Sequence, residues 1–214
     1  MSKKAIVIGA TGLVGNELVK LLCKTNDISE VVVIARRELV FNHAKLKCHI
    51  VDFEKLAEHS HLFKGDVLFS CLGTTKKKAK TIEAQRRVDL NYQYLIAEMA
   101  ANNNIQDYLL VSSSGANSNS RSPYLKMKGE LEEKVKALCF KRISILQPSL
   151  LLGKRQEFRI IETLASVILP TLCKLPWLKR YRPISGQQVA HKLLDVYQNQ
   201  TEHQAIYTLD ELFN

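Results

Sequence analysis

No two of the five cysteines, at positions 23, 48, 71, 139 and 173, share a CxxC spacing, and no cysteine–histidine cluster has ligand spacing. That excludes the usual zinc sites and a stapled extracellular scaffold, so no metal is expected. The thiols read instead as reduced and mostly buried, in a cytoplasmic protein. Acidic residues are also short. Asp and Glu number 21 against 31 Lys and Arg, a formal net charge of +10. The excess forms no basic helix and carries no RNA-binding aromatic signature, so nucleic acid is not an expected partner. Its one run, Lys76-Lys77-Lys78, reads as a solvated loop or as an attractor for a polyanionic cofactor. Long apolar runs are missing too. The most apolar segment, 160–178, is broken by Glu162, Pro170, Lys174 and Pro176. It falls short of the ~20 clean residues that a membrane span needs, and suits core packing or the wall of an apolar pocket. Met1-Ser2-Lys3-Lys4 runs straight into a strand-like segment, with no apolar signal region before it.

What remains has the pattern of one α/β domain. A chain of 214 residues suits a single domain over 1–214, with its substrate side mainly from 149–214. Strand-like segments fall at 4–8, 30–35, 46–51, 66–71, 107–112, 142–146 and 205–208, and helix-like ones at 12–24, 53–59, 81–103, 123–138 and 186–200. The run Glu30-Val-Val-Val-Ile-Ala35 is apolar almost throughout rather than alternating, as a strand covered on both faces requires. Alternating strands and helices predict a doubly wound parallel sheet of Rossmann type, with ligands along the edge where the strands end.

The motifs fall along that edge. Gly9-x-x-Gly12-x-x-Gly15 follows the first strand and opens the first helix. Gly9 permits the tight turn, Gly12 lets backbone approach a pyrophosphate, and Gly15 lets helix and strand pack closely. The loop Gly9-Ala10-Thr11-Gly12-Leu13-Val14-Gly15 is therefore the candidate diphosphate cradle. An acidic residue after the second strand would bind the ribose 2′-hydroxyl of NAD, but Arg36 and Arg37 stand there, before Glu38. Guanidinium groups suit a 2′-phosphate, so NADP(H) is the expected cofactor. Asp52 and the pair Leu72-Gly73 follow the third and fourth strands. Asp52 can accept from an adenine amino group or cap the helix that begins at Phe53, and Gly73 lets the chain pass close to the cofactor. Tyr124-x-x-x-Lys128 opens a helix twelve residues after Ser112. Positions i and i+4 share a helical face, so the Lys128 ammonium would steady an ionised Tyr124. Tyr124 would then act as general acid or base, with a serine of Ser112-Ser113-Ser114 orienting the substrate oxygen.

Together these blocks resemble the short-chain dehydrogenase/reductase superfamily in its atypical branch, and within it the HIV Tat-interacting protein oxidoreductase family. The similarity is carried by Gly9-Ala-Thr-Gly-Leu-Val-Gly15, Ile34-Ala-Arg-Arg37, Val51-Asp-Phe-Glu-Lys-Leu56, Cys71-Leu-Gly-Thr-Thr75, Tyr124-Leu-Lys-Met-Lys-Gly-Glu130 and Leu151-Leu-Gly-Lys-Arg-Gln-Glu-Phe-Arg159. It implies NADPH contacts at Thr11, Gly12, Leu13, Val14, Arg36, Arg37, Leu72, Gly73, Tyr124, Lys128, Leu151 and Arg159, with Tyr124 catalytic and Ser113 as the favoured serine. It also tips Arg155, Glu157 and Arg159 from a salt-bridged surface turn toward a functional role. The asparagine that many such enzymes use has no convincing counterpart, Asn91 being a distant candidate. The expected activity is reduction of a small carbonyl compound by an NADPH-dependent oxidoreductase, as monomer or dimer. The alternative is a non-catalytic NADPH-binding regulator that signals redox state through a protein partner.

Overall fold

The computed structural model describes residues 2–152 and 182–213. The apolar segment 160–178, Arg155, Glu157, Arg159 and Cys173 lie outside them. Among the described residues, strands β1 (Lys3–Ile8), β2 (Ile28–Ala35), β3 (Leu46–Ile50), β4 (Val67–Ser70), β5 (Asp107–Val111), β6 (Arg142–Gln147) and β9 (Gln204–Thr208) form one sheet in the order β3-β2-β1-β4-β5-β6-β9. Every neighbouring pair in it is parallel. This is the Rossmann-type order, reversing direction between β1 and β4.

Side-chain alternation along the strands divides the core in two. Ala5, Val7, Val31, Val33, Val67 and Phe69 point to one face, where helix α1 (Leu13–Lys24) and the late helix α6 (Gly186–Asn199) cover them with Leu18, Leu22, Val189 and Leu193. Ile6, Ile8, Val32, Ile34, Leu68 and Leu110 point to the other, under Phe53, Leu56, Ile96, Met127 and Leu131. Covered on both faces, the inner strands have no place for polar alternation, which is why β2 reads as an unbroken apolar run.

The helix expected over 81–103 runs unbroken over 82–102 but is not uniformly α-helical. It consists of α3 (Ile82–Arg86), a π-helical stretch Arg87–Tyr92 and α4 (Gln93–Asn102). Thr81 caps its start, its hydroxyl accepting from the Ala84 N–H at 3.0 Å. The triple lysine is not a loop but a single exposed helical turn, α2 (Lys76–Ala79), capped by Thr75. Two elements were not anticipated: a short parallel pair of β7 (Leu151–Leu152) with β8 (Ile184–Ser185), and a 3-10 turn Leu209–Leu212. The thiols are not mostly buried either. Cys23 is buried, but Cys48 lies on edge strand β3 and Cys139 in the turn after α5 (Pro123–Lys136), both exposed. No helix among the described residues is long and apolar enough to cross a membrane.

One close approach fixes α5 over the sheet. A Cβ at Gly129, in the middle of α5, would lie 2.2 Å from the Ser118 nitrogen and 2.3 Å from the Asn117 carbonyl carbon. The loop after β5 therefore rests directly on the helix backbone. Gly129→Ala should force the two apart at a cost of about 1–3 kcal/mol, seen as a lower urea midpoint with unchanged slope. An unchanged midpoint would mean that the loop does not lie on the helix.

Candidate cofactor and active site

The turn from β1 into α1 is built by two glycines that tolerate no side chain. Gly9 has φ of +79°, and a Cβ there would meet the Cys71 carbonyl carbon at 2.3 Å. At Gly15 a Cβ would meet the Gly9 carbonyl oxygen at 2.4 Å. Gly12 differs: its Cβ would approach the Gly9 oxygen at 3.1 Å and otherwise face open space. The first helical hydrogen bond runs from the Asn16 N–H to the Gly12 oxygen at 3.1 Å, so the N–H groups of Leu13, Val14 and Gly15 precede it. No side chain caps this helix and no acidic residue stands in its first turn. Free N–H groups and the helix dipole leave a cradle suited to an anion, and Gly12 keeps it open. Thr11, Gly12 and Leu13 are exposed there, while Val14 is buried beneath them.

Arg36 and Arg37 are exposed immediately after β2, and neither pairs with a carboxylate among the described residues. The Arg36 guanidinium lies over the Phe53 ring at 5.9 Å. Asp52 performs one of its two expected roles: Oδ1 accepts from the Glu54 N–H at 3.0 Å and caps the 3-10 segment Phe53–Leu62. Beyond β4, Leu72 is buried and Gly73 exposed. A Cβ on Gly73 would come to 3.2 Å from Asp89 Oδ1. The expected contact residue Leu151 is half-buried in β7.

Helix α5 brings the chemistry together. Pro123 occupies its first turn, so the missing N–H costs nothing there. Tyr124 is half-buried, with no hydrogen-bond partner among the described residues. One turn on, Lys128 is only 3% exposed, and its Nζ donates to the Val111 carbonyl at 3.4 Å, at the end of β5. A further turn on, Glu132 is buried and accepts from the Ser112 hydroxyl and from Gln147 Nε2 at 2.9 and 3.0 Å. Ser112 is thus committed to Glu132. Ser113 is half-buried, and its hydroxyl has only a long contact to the Ser114 oxygen at 3.5 Å, leaving it open to a ligand.

Asn91 is exposed on the π-helical stretch, and the polar side chain this stretch buries beside the site is Asp89. Asp89 Oδ1 accepts from the Thr74 N–H at 3.0 Å, which holds the loop after β4. Burial pushes the Asp89 carboxyl above the ordinary carboxylate range, against the pull of the Lys128 charge. Burial likewise pushes the Cys71 thiol up to about 12, with Lys128 opposing it, so Cys71 stays a neutral thiol at physiological pH. Sequence reading missed Asp89, Glu132 and Gln147. Glu132 had a signal, since Tyr124, Lys128 and Glu132 repeat every four residues on one helical face.

A profile of the NAD dependent epimerase/dehydratase family matches residues 5–157. The chain is 41% identical over 168 residues to Protein HTATIP2 of Rattus norvegicus, covering 77% of this chain and 69% of the relative. It is 32% identical over 198 residues to Protein FMP52, mitochondrial, of Candida albicans, covering 90% and 86%. Among solved structures, the Bordetella bronchiseptica enzyme WbmH in complex with NAD+ superposes with a TM-score of 0.75 at 14% identity, covering 97% of this chain and 75% of that one. That last likeness is one of fold. The fungal names correct the cytoplasmic expectation, because FMP52 relatives from several species are labelled mitochondrial. The scattered thiols do not single out the cytoplasm.

The thiols give a direct check on the geometry around Lys128. In the native protein a neutral alkylating reagent should modify exposed Cys139 and spare Cys71, with peptide mapping as the readout. Labelling of Cys71 as fast as Cys139 would contradict its partial burial and the raised pKa that goes with it.

Proposed function

The chain belongs to the NAD dependent epimerase/dehydratase family, homologous to HTATIP2 and FMP52, and from that premise we propose that it is an NADPH-dependent reductase of a small carbonyl compound. The observation that carries the reading is the pairing of a half-buried, unpartnered Tyr124 with the buried ammonium of Lys128 one helical turn away. The single domain takes the cofactor along the sheet edge. The N–H groups of Leu13, Val14 and Gly15 hold the diphosphate, and Arg36 and Arg37 hold a 2′-phosphate. Leu72 and Gly73 line the ribose side, with Asp52 at the adenine. Lys128 binds the nicotinamide ribose. Leu151 and Arg159 complete the NADPH contacts, Arg159 by family resemblance alone.

The bound cofactor supplies a hydride to the carbonyl carbon. The residues of the chain manage the oxygen. Negative charge develops on that oxygen as the carbon is reduced, and a donor must be in place at that moment. Tyr124 gives it a proton, and Ser113 orients it by a hydrogen bond. The Lys128 charge steadies the phenolate that Tyr124 becomes. Ser112, bound to Glu132, fixes the end of β5 from which Ser113 projects.

Two measurements test this reading. Each arginine in a charge-assisted contact contributes about 1.5–3 kcal/mol, or roughly ten- to a hundredfold in affinity. NADPH should accordingly bind more tightly than NADH, and Arg36→Ala and Arg37→Ala should each narrow the gap. Equal affinities in the wild type would remove the 2′-phosphate assignment. For the chemistry, Tyr124→Phe should abolish single-turnover NADPH oxidation with whichever carbonyl the wild type reduces, while NADPH affinity stays within about twofold. Undiminished turnover would take Tyr124 out of the mechanism. A wild type that binds NADPH yet reduces nothing across a broad carbonyl panel would favour the redox-sensing regulator.

A further inference from the structure

The start of α6 rests on the backbone of the diphosphate cradle. Gly186 is the first residue of this helix and is buried. A Cβ there would lie 2.6 Å from the Leu13 carbonyl oxygen, 2.8 Å from its carbonyl carbon and 3.2 Å from its Cβ. All of these atoms belong to the residue that opens α1 beside Gly12. Backbone conformation does not call for glycine at 186, because its φ lies outside the left-handed region. Ser185 and Gln188 already close a capping box around the turn, and glycine in a helix is otherwise less stable than alanine. What the position requires is room for the Leu13 carbonyl.

The Leu13 carbonyl and the Val14 N–H belong to one rigid trans peptide plane and point in opposite directions. Pressure on the oxygen therefore turns the N–H. The Val14 N–H is one of the three that precede the first helical hydrogen bond of α1. The corner that meets the Leu13 carbonyl is itself anchored. Ile184 and Ser185 pair with Leu151 and Leu152, and the Ser149 hydroxyl donates to the Arg182 oxygen at 2.6 Å. From Gly186 onward, α6 covers the same face of the sheet as α1.

We infer that Gly186 is a positioning residue for the cofactor diphosphate. By leaving the Leu13 carbonyl undisturbed it keeps the Val14 N–H aimed into the cradle, so affinity for the diphosphate depends on how α6 docks. This rests on the reading that Leu13, Val14 and Gly15 hold that group.

The test compares ligands with and without a diphosphate. 2′-Phospho-ADP-ribose carries one and lacks the nicotinamide; adenosine 2′-monophosphate has no phosphate on its 5′ side. Gly186→Ala should weaken NADPH and 2′-phospho-ADP-ribose about tenfold each, and adenosine 2′-monophosphate less than twofold. A general loss of structure lowers all three alike, so equal losses would overturn the inference, as would unchanged NADPH affinity. Gly12→Val fills the cradle directly and should weaken NADPH at least as much. Retained binding in Gly12→Val would overturn the cradle reading and this inference with it, whereas a loss in Gly12→Val alone would overturn the inference only. If Gly186→Ala does not fold, hydrogen exchange on the wild type decides instead. Saturating 2′-phospho-ADP-ribose should slow exchange over 184–190 relative to 193–199, and saturating adenosine 2′-monophosphate should not. The same protection from both ligands, or from neither, would overturn the inference.

Discussion

The active edge depends on how tightly the turn after β1 presses against the end of β4. Gly9 sits at φ +79°, with the Cys71 carbonyl where a side chain would begin, and Gly15 brings α1 down onto the Gly9 oxygen. Neither contact leaves room for a methyl group. One consequence is that α1 starts directly over the sheet edge, so its first N–H groups open into the crevice instead of into solvent beyond it. Another is that the Cys71 backbone carbonyl lies against the turn, and burial keeps the Cys71 thiol neutral. The chain then continues from Cys71 through Gly73 to Thr74, whose N–H is taken by Asp89. A run of short contacts thus connects the glycine turn to the buried Asp89 carboxylate.

Much of this was legible in the sequence because the elements concerned are set by local chemistry. The glycine spacing between an apolar strand and an amphipathic helix specifies its own geometry, and β2 declared itself parallel by lacking polar alternation. Pro123 followed by Tyr124 and Lys128 marked the start of α5. What stayed hidden lies where the backbone departs from a regular period. A π-helical turn adds one residue without changing composition, so 81–103 reads as one helix and Asn91 as the polar group near the site. The structure instead buries Asp89 two residues earlier. Ser112 and Ser113 are alike in sequence, and only the Glu132 carboxylate, a side chain twenty residues away, tells them apart. The compartment was beyond reach for another reason: thiol spacing reports redox poise, not place.

The two edges of the sheet differ in how completely their polar groups are satisfied. At the edge where strands begin, Asp107 opens β5 and Arg142 opens β6, and they meet in two hydrogen bonds, each of 2.6 Å. The remaining reach of Arg142 goes to the Gln200 carbonyl at 2.7 Å. A bidentate pair with its other donor also satisfied is a closed structural unit that asks nothing of a ligand.

The edge where strands end is the opposite. The Leu13, Val14 and Gly15 N–H groups have no backbone acceptor, Arg36 and Arg37 have no carboxylate, and Tyr124 has no partner among the described residues. Asp89 Oδ2 is enclosed without a hydrogen bond among the described residues. Native proteins leave few buried or convergent polar groups unpaired, because each costs free energy that folding must offset elsewhere. Among the described residues the Tyr108 and Tyr197 hydroxyls are also enclosed without partners, but the unpaired groups where the strands end are of complementary kinds: donors and cations at the glycine loop and β2, a hydroxyl and a buried lysine at α5. A set with donors for phosphate at one end and a proton-bearing hydroxyl beside a lysine at the other matches one elongated ligand, anionic at its adenosine end and reactive at its far end. The net charge of +10 has the same sense, because a basic surface around such a crevice raises the local concentration of a polyanion before any contact forms.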